Sequence, residues 1–344
     1  MIDNIISYDN EMIFNRIKEK SNLNKLNFSN ILLTGGTGLF GKSILNFLMY
    51  IRQYYSFDIT ILTRNKYSFL FDNPDYNTDF IHFINGDIRN FNSDKEYDYI
   101  IHAAAPASEK LERENPLEMY SIILDGTKNI INIAKKMKIK KLLFISSGAV
   151  YGEQFESIKS FKENYYGYPT TYYGKAKKIS EELLLDSNIN VSIARCFAFV
   201  GPYLNLNIHF AIGNFIRDVI ENKDIIIKGD GRPLRTYLYT ADLVIWLFSI
   251  LLNSNDKSIY NVGSSKEISI YDLAKKVSKS LNNYNGNIKV LTEANYNYPT
   301  PKYIPNNTKI IKELGVKENY SLDDAIKRTI EWNLNNIYIK GCKI

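Results

Sequence analysis

The chain has 344 residues, of which 45% are hydrophobic and 23% charged, a composition typical of a globular protein with one large domain or two ordinary ones. Its formal net charge of +6 comes from lysines interleaved with asparagines and tyrosines, a pattern that disfavours nucleic-acid binding. Two cysteines, the absence of a long apolar run and an N-terminus with acids and asparagines lead us to expect a cytoplasmic protein without disulfides, membrane spans or a signal peptide.

Residues 1–27 precede the first predicted strand and form a predicted helical arm. Met12, Ile13, Ile17 and Leu23 are spaced to line one face of a short helix. We expect this face to pack against the rest of the protein.

Strands alternate with helices in residues 28–202. The alternation predicts an α/β fold with a Rossmann-type doubly wound parallel sheet, in which ligands bind at the carboxyl ends of the strands. The predicted strands are Ile31–Leu33, Asp58–Leu62, Phe80–Ile84, Tyr99–Ala103, Lys141–Ser146 and Val191–Cys196, and the predicted helices include Ser43–Met49, Pro116–Lys136 and Thr171–Leu185.

The pattern changes after Gly201-Pro202, which indicates a smaller C-terminal lobe in residues 203–344. Part of residues 235–262 stays open to assignment, because that segment can return to the first domain. The predicted elements are helices His209–Glu221, Ala241–Leu252, Ser269–Leu281 and Leu322–Trp332, and strands Ile225–Lys228 and Ser258–Val262.

Four glycines separate the first strand from the first helix, in the arrangement Gly36-x-Gly38-x-x-Gly41 with Gly35 before it. Glycine permits a tight turn and a close approach of the backbone to a pyrophosphate, which then meets free N–H groups at the helix N-terminus. The motif predicts dinucleotide binding; the alternative is an ordinary glycine turn. The predicted cofactor-binding residues of this loop are Gly35, Gly36, Thr37, Gly38, Leu39, Phe40 and Gly41.

Tyr173 and Lys177 lie one turn apart on a predicted helix, so their side chains face the same side. A nearby ammonium group favours the phenolate form and lowers the pKa of a tyrosine from its usual value near 10. On spacing alone, two solvent-facing residues would be the better interpretation. Ser147, at the end of the fifth strand, favours a catalytic one, because its hydroxyl can hydrogen-bond a substrate oxygen beside Tyr173.

Short motifs are distributed along nearly all of residues 30–335. In chain order they are Thr34-Gly-Gly-Thr-Gly-Leu-Phe-Gly41, Gly86-Asp87, His102-Ala-Ala104, Gly126-Thr127, Ser146-Ser147-Gly-Ala-Val-Tyr-Gly152, Tyr173-x-x-x-Lys177, Arg195 to Gly201-Pro202, Gly229-Asp-Gly231 with Arg235, Tyr239 and Asp242, and Tyr260-Asn-Val-Gly263. Together they resemble the extended short-chain dehydrogenases/reductases, and within them the NAD(P)-dependent nucleotide-sugar epimerase/dehydratase family.

The resemblance implies an enzyme with a C-terminal substrate-binding lobe that acts on a nucleotide-activated sugar. It implies a catalytic Tyr173, its partner Lys177 and a hydrogen-bonding Ser147. Arg235 would bind the substrate diphosphate, a role suited to a guanidinium group, whereas His102 is expected to be structural. The further cofactor-binding residues are Asp87 at the adenine amino group, Ile88, Ala103, Ala104 and Ala105; the further substrate-binding residues are Asn214 and Tyr239; no metal ligands are identified.

The chain departs from this family next to the catalytic hydroxyl. Dehydratase relatives have Asp and Glu in the two following positions, and decarboxylase relatives keep the Glu. Gly148 and Ala149 stand there and cannot transfer protons, which resembles the UDP-galactose 4-epimerase pattern and disfavours both other reactions. Ala198 and Ile123 replace two asparagines of the family, so the contacts to the sugar stay open.

These observations predict a 4-epimerase-like enzyme that transfers a hydride at a ring carbon, C4, of an activated hexose. The alternatives are an NADPH-dependent 4-keto-sugar-nucleotide reductase, a nucleotide-sugar dehydratase and a non-catalytic NAD(P)-binding regulator, since one fold supports many functions.

The end of the second strand bears on the choice of cofactor. NAD-specific relatives have a carboxylate here for the ribose hydroxyls, but this chain has Arg64 and Lys66. Because these cations can neutralise a 2′-phosphate, we favour NADP over NAD. The alternative is that Arg64 stacks on adenine and NAD binds.

The helices Pro116–Lys136 and Thr171–Leu185 correspond to the pair with which relatives form dimers. Ile122, Ile123, Ile130 and Ile133 exceed what one stripe against the sheet requires. We therefore expect a homodimer with twofold symmetry.

Overall fold

The computed structural model describes residues 2–106, 108–207 and 210–341. The helices are α1 (Ile2–Lys20), α2 (Leu39–Ile51), α3 (Lys66–Asp72), α4 (Glu109–Glu114), α5 (Pro116–Met137), α6 (Tyr172–Leu185), α7 (Ala211–Ile220), α8 (Thr240–Asn253), α9 (Ile270–Ser278), α10 (Thr308–Leu314) and α11 (Leu322–Gly341). The strands are β1 (Ser29–Thr34), β2 (Phe57–Thr63), β3 (Ile81–Asn85), β4 (Tyr99–His102), β5 (Lys141–Ser147), β6 (Val191–Cys196), β7 (Phe199–Val200), β8 (Ile225–Ile227), β9 (Leu234–Arg235), β10 (Leu238–Tyr239), β11 (Ser258–Val262), β12 (Ile268–Ser269), β13 (Ile288–Val290) and β14 (Lys302–Tyr303).

Within the described residues, seven strands form one parallel sheet in the order β11-β6-β5-β4-β1-β2-β3. The strands that were predicted in residues 28–202 are confirmed, with ends that shift by at most two residues. The edge strand β11 comes from the second half of the chain and pairs with β6, so residues 258–262 return to this sheet.

Helices cover both faces of the sheet. Successive residues of a strand point to opposite faces, so each strand contributes apolar side chains to both core layers. In β1, Ile31 and Leu33 pack in a core layer shared with α1, α2 and α8, whereas Leu32 packs on the other side with α5 and α6. A parallel strand buried on both faces is almost continuously apolar, which is why its sequence pattern was recognisable.

The second lobe contains structure that the sequence pattern did not reveal. The strands β12, β9 and β14 form a small sheet, and β8 pairs with β13. The predicted helix His209–Glu221 is observed as α7, while His209 itself lies outside the described residues. None of the helices in the described ranges is both long and apolar enough to cross a lipid bilayer.

Three of the four α5 isoleucines that suggested a dimer are buried within the chain, and the fourth is half-buried. Ile123 packs against α6 through Ala176, and Ile130 and Ile133 lie in the core layer beneath the two helices. Ile122 is half-buried against the same layer. Contrary to expectation, these four residues therefore leave no apolar excess for a partner, and dimerisation stays a prediction.

The predicted arm is α1, which packs against α2, α8 and α11. Ile13 and Ile17 are buried and Met12 is half-buried, which confirms the apolar face of the helix. Leu23 is buried as well, but it belongs to a separate 3₁₀ turn, Leu23–Leu26.

A buried charge on α1 connects the arm to the second half of the chain. The Asp9 carboxylate accepts hydrogen bonds from the Tyr239 hydroxyl at 2.6 Å, the Tyr320 hydroxyl at 2.8 Å and the Arg328 guanidinium at 2.6 Å. Burial raises the pKa of Asp9, and the Arg328 charge opposes this rise. The ion pair and two phenols thus fasten α1 to β10 and α11.

We predict that Asp9→Ala lowers the free energy of unfolding by about 3 kcal/mol, because it leaves the Arg328 charge without its partner. The value is at the lower end for a broken buried pair, since the Arg328 side chain remains 21% exposed. Urea denaturation followed by circular dichroism measures the change. Glu11→Ala, on the exposed side of α1, is the matched control, and an equally small effect of both variants would contradict the prediction.

Candidate functional site

The glycine loop lies between β1 and α2, at the carboxyl edge of the sheet. Gly35 has a φ of +73°, and a Cβ on it would lie 2.6 Å from the carbonyl carbon of Ala103. A Cβ on Gly41 would overlap the main chain of Gly35 and Gly36. Glycine at these positions therefore lets the β1 loop, the start of α2 and the end of β4 pack backbone against backbone.

Gly38, in contrast, faces open space. A Cβ on Gly38 would meet nothing closer than the Gly35 carbonyl oxygen at 3.7 Å, and no side chain caps α2 at this residue. Thr37 and Gly38 are exposed, whereas Leu39 and Phe40 pack partly against the core. The loop therefore presents free main-chain N–H groups of a helix start to an accessible space, which fits a phosphate group.

The two predicted cations after β2, Arg64 and Lys66, have different surroundings. Arg64 is exposed and acts on the carboxylate of Asp87, whereas the Lys66 ammonium lies 5.4 Å from the centre of the Phe83 ring. Asp87 is bound by Arg89 at 2.9 and 2.7 Å, and these hydrogen bonds are the main cause of its lowered pKa. Of the two predicted cations, Arg64 and not Lys66 therefore acts on Asp87, in addition to Arg89.

The alanines after β4 connect the glycine loop to the candidate catalytic helix. Ala103 contacts Gly35, and the Ala104 N–H donates a hydrogen bond to the Thr34 hydroxyl at 3.2 Å. Ala105 packs in a small apolar cluster with Tyr173 and Ile123. Ile88 is buried and would lie 2.9 Å from a Cβ on Gly126, so it packs closely against α5.

The structure brings Ser147, Tyr173 and Lys177 together. Tyr173 lies in the first turn of α6, whose N-terminus is capped by Thr171 and bound by the Glu112 carboxylate, which accepts the Tyr173 N–H at 3.0 Å. Ser147 ends β5, and its hydroxyl oxygen accepts the Ala149 N–H at 3.1 Å. The serine hydroxyl also lies close to the Tyr173 phenol and lowers its pKa.

The expectation that Lys177 lowers the pKa of Tyr173 was wrong for this state of the protein. Burial raises the pKa of Tyr173 to about 12, and the Ser147 hydroxyl offsets only part of this rise. The Lys177 ammonium instead donates to the Ile145 carbonyl at 2.7 Å and lies over the Phe144 ring. Burial also lowers the pKa of Lys177, to about 8.

Tyr303 closes the site from the second lobe, and no sequence motif indicated it. A Cβ on Gly148 would lie 2.6 Å from the Tyr303 hydroxyl oxygen and 2.8 Å from the Phe197 ring. The Ser147 hydroxyl lies near Tyr303 and opposes the rise that burial causes in the pKa of this phenol. Tyr303 lies in a segment rich in Asn, Tyr and Pro, where no periodicity distinguishes one tyrosine from another.

Arg235 reaches the site through the small sheet of the second lobe. It pairs with Tyr303 across β9 and β14, so both side chains lie on the same face. Its guanidinium donates to the Leu234 carbonyl at 2.8 Å, and burial lowers its pKa. The arrangement places a cation beside the hydroxyl group of Tyr303.

Tyr239 does not belong to the site, so its expected contact with substrate was wrong. Its side chain is 2% exposed, and its hydroxyl is hydrogen-bonded to Asp9 and Arg328. Asn214 lies in the first turn of α7, where its side-chain oxygen accepts a hydrogen bond from Arg217 at 3.4 Å. A role of Asn214 in binding stays a prediction.

His102 has the structural role that was expected of it. Its ring is 1% exposed and lies between the hydroxyls of Thr34 at 2.8 Å and Thr127 at 3.4 Å. Burial lowers the pKa of His102 to about 3, so the ring is neutral at physiological pH. It therefore links β1, β4 and α5 by neutral hydrogen bonds.

A model of the NAD dependent epimerase/dehydratase family matches residues 31–263. The chain is 30% identical over 324 residues to the putative UDP-glucose 4-epimerase of Methanocaldococcus jannaschii, a match that covers 89% of this chain and 99% of that protein. It is 29% identical over 260 residues, 71% of this chain, to UDP-glucuronic acid decarboxylase 1 of Xenopus tropicalis, and spans 60% of the length of that relative. The solved structure of an epimerase from Methanothermobacter thermautotrophicus superposes with a TM-score of 0.79 at 20% identity, over 95% of this chain and 97% of that one, and shows the same fold.

Proposed function

The chain belongs to the NAD dependent epimerase/dehydratase family, and from this membership we propose that it is an NAD(P)-dependent, 4-epimerase-like enzyme acting on a nucleotide-activated hexose. The observation that supports this most directly is the convergence of Ser147, Tyr173 and Lys177 beside the glycine loop. A protein that only senses the cofactor does not need these three side chains together.

Several residues at the carboxyl edge of the sheet would hold the cofactor. The main-chain N–H groups after Gly38 would bind the pyrophosphate, and Asp87 and Arg64 would contact the adenosine end. Lys177 and Tyr173 lie at the other end of the same edge. A bound nicotinamide supplies the hydride acceptor and donor and, when oxidised, a positive charge beside the phenol.

Tyr173 is the general acid–base of the proposed reaction. It accepts the proton of the sugar hydroxyl while the C4–H bond breaks, and it returns this proton when the C4–H bond forms again. Ser147 hydrogen-bonds the same oxygen, whereas the Lys177 ammonium donates to the Ile145 carbonyl and does not lower the pKa of Tyr173. Because burial raises the pKa of Tyr173 to about 12, the phenol becomes a base only when positive charge lies close to it.

The space around Gly148 supports an epimerase-like reaction over dehydration. The dehydratase pattern described above requires an acidic side chain at this position. A Cβ on Gly148 already comes within 2.6 Å of the Tyr303 hydroxyl, so an Asp side chain has no room while Tyr303 occupies its place. Phe197 closes the same space from the other side. An epimerase-like reaction oxidises and reduces the sugar ring at C4 and needs no acidic side chain at position 148.

Arg235 is proposed to bind the substrate diphosphate. It is half-buried and lies opposite Tyr303, next to the hydroxyl groups that would contact the sugar. An arginine fork suits two phosphate oxygens, and partial burial strengthens such a contact. The substrate would therefore extend from Tyr173 toward the small sheet of the second lobe.

We predict that Tyr173→Phe lowers turnover by about 10²-fold or more, because the proton then has no acceptor, while cofactor affinity changes little. A panel of UDP-, dTDP-, GDP- and CDP-hexoses, with products identified by NMR and mass spectrometry, first identifies the substrate and the reaction. Tyr172→Phe, which changes the adjacent exposed phenol, is the control. Wild-type turnover in the Tyr173 variant would exclude the proposed role.

We also propose that the chain prefers NADP(H), through Arg64. A charge-assisted contact of about 1.5–3 kcal/mol predicts about ten- to a hundredfold tighter binding of NADP(H) than of NAD(H). Arg64→Asp is expected to reverse the order, because a carboxylate repels the 2′-phosphate. Calorimetric titration of both cofactors measures this, with Lys66→Ala as the control because Lys66 lies on Phe83. Tighter binding of NAD with Arg64 intact would contradict the proposal.

A homodimer through α5 and α6 remains part of the proposal on different grounds. Leu117 is 69% and Tyr172 39% exposed, and Tyr172 contacts the Tyr120 ring across the two helices. Two further half-buried apolar side chains of these helices are Leu124 and Ile179. We expect a dimer by light scattering at micromolar concentration, and Leu117→Glu should weaken it; a monomer would contradict this.

A further inference from the structure

The helix that contains Tyr173 and Lys177 has a third buried ionisable residue on the same side. Glu181 lies one turn beyond Lys177, and it is 2% exposed. Its carboxylate accepts three hydrogen bonds from the Arg195 guanidinium, at 3.1, 3.0 and 2.6 Å, and one from the Ser146 hydroxyl. Tyr173, Lys177 and Glu181 therefore lie on successive turns of α6 and face the ends of β5 and β6.

The partners of Glu181 are the immediate neighbours of site residues. Ser146 precedes Ser147 in β5, and adjacent strand residues point to opposite faces. Fixing the Ser146 side chain toward α6 therefore also sets the direction of the Ser147 side chain. Arg195 pairs with Ser146 across β5 and β6, and Cys196 pairs with Ser147.

Arg195 is itself firmly positioned. Its guanidinium donates to the Tyr151 hydroxyl at 2.9 Å and to the Glu163 carbonyl at 3.0 Å, and it lies 4.8 Å from the centre of the Tyr151 ring. The Tyr151 hydroxyl in turn donates to Asn261 of β11 at 2.7 Å. The ion pair is therefore anchored to the sheet, and α6 takes its position from it.

A buried ion pair adds little net stability, because the loss of hydration offsets the attraction between the charges. Resting on the function proposed above, we infer that Glu181 is a positioning residue, which sets the catalytic helix against the serine-bearing strand through Arg195 and Ser146. It contacts neither the cofactor loop nor the space that would receive the sugar.

The Glu181 charge also acts on Lys177. The titratable groups that face the Lys177 ammonium are Glu181 and Tyr173 on α6, Cys196 on β6 and His102 on β4. Glu181 opposes the effect of burial and supports the charged form of the lysine. Removing the carboxylate lowers the pKa of Lys177 further, so the ammonium is lost at lower pH.

The test compares Glu181→Gln and Ser146→Ala with the wild-type enzyme, and Glu182→Gln, which changes the exposed neighbour, is the control. Glu181→Gln should misplace the catalytic groups by up to about 1 Å. We therefore expect its kcat to fall by about 10- to 100-fold, while its KM stays within about twofold of the wild-type value. The alkaline limb of its pH profile should move to lower pH. Ser146→Ala keeps the ion pair and should lower kcat by a smaller factor, about three- to tenfold, with an unchanged pH profile.

Each outcome decides between the two proposals. Unchanged kcat and pH profile in a folded Glu181→Gln variant, checked by circular dichroism, would overturn the positioning role alone. If Glu181→Gln does not fold, an unchanged kcat in Ser146→Ala would overturn it as well. A wild-type protein that binds the cofactor but converts no nucleotide sugar would instead overturn the proposed function, and with it this inference.

Discussion

Both faces of the central parallel sheet are buried under helices, and the candidate site depends on this constraint. The main-chain groups inside the sheet are paired with one another, so free donors occur only where strands end and helices begin. The glycine loop after β1, the alanines after β4 and Ser147 at the end of β5 all lie at that edge. Because Gly35 packs closely against the Ala103 backbone, the carboxyl ends of β1 and β4 lie near enough to contact the same ligand.

Burial also affects the charge of the candidate catalytic groups. It raises the pKa of Tyr173 to about 12 and lowers that of Lys177 to about 8, because a charged group loses hydration in a low-dielectric environment. Both shifts favour the uncharged forms. Charge that enters with a cofactor or a substrate therefore has a large effect on the acid–base state of the site, which suits a reaction that requires both to be bound.

Two buried arginine–carboxylate pairs connect parts of the chain that lie far apart in sequence. Asp9 and Arg328 join the N-terminal helix to the last helix, and Glu181 and Arg195 join the catalytic helix to the sheet. In both, the guanidinium also lies over a tyrosine ring and phenols take part in the hydrogen bonds. Such pairs are costly to separate once formed, so they define how the segments fit together more than they add to stability.

The sequence by itself determined the features whose signals are local. These are the apolar strands, the glycine loop and the helical spacing of Tyr173 and Lys177, each of which is a pattern within a few residues. Only the tertiary structure decided which distant residues meet. Tyr303 lies against Ser147 and Gly148, and the Tyr239 hydroxyl donates its hydrogen bond to Asp9. Ile123, Ile130 and Ile133 of α5, which suggested an outer surface, are buried within the chain. The physical reason is that burial and long-range contacts set pKa values and side-chain partners, and no local pattern contains either.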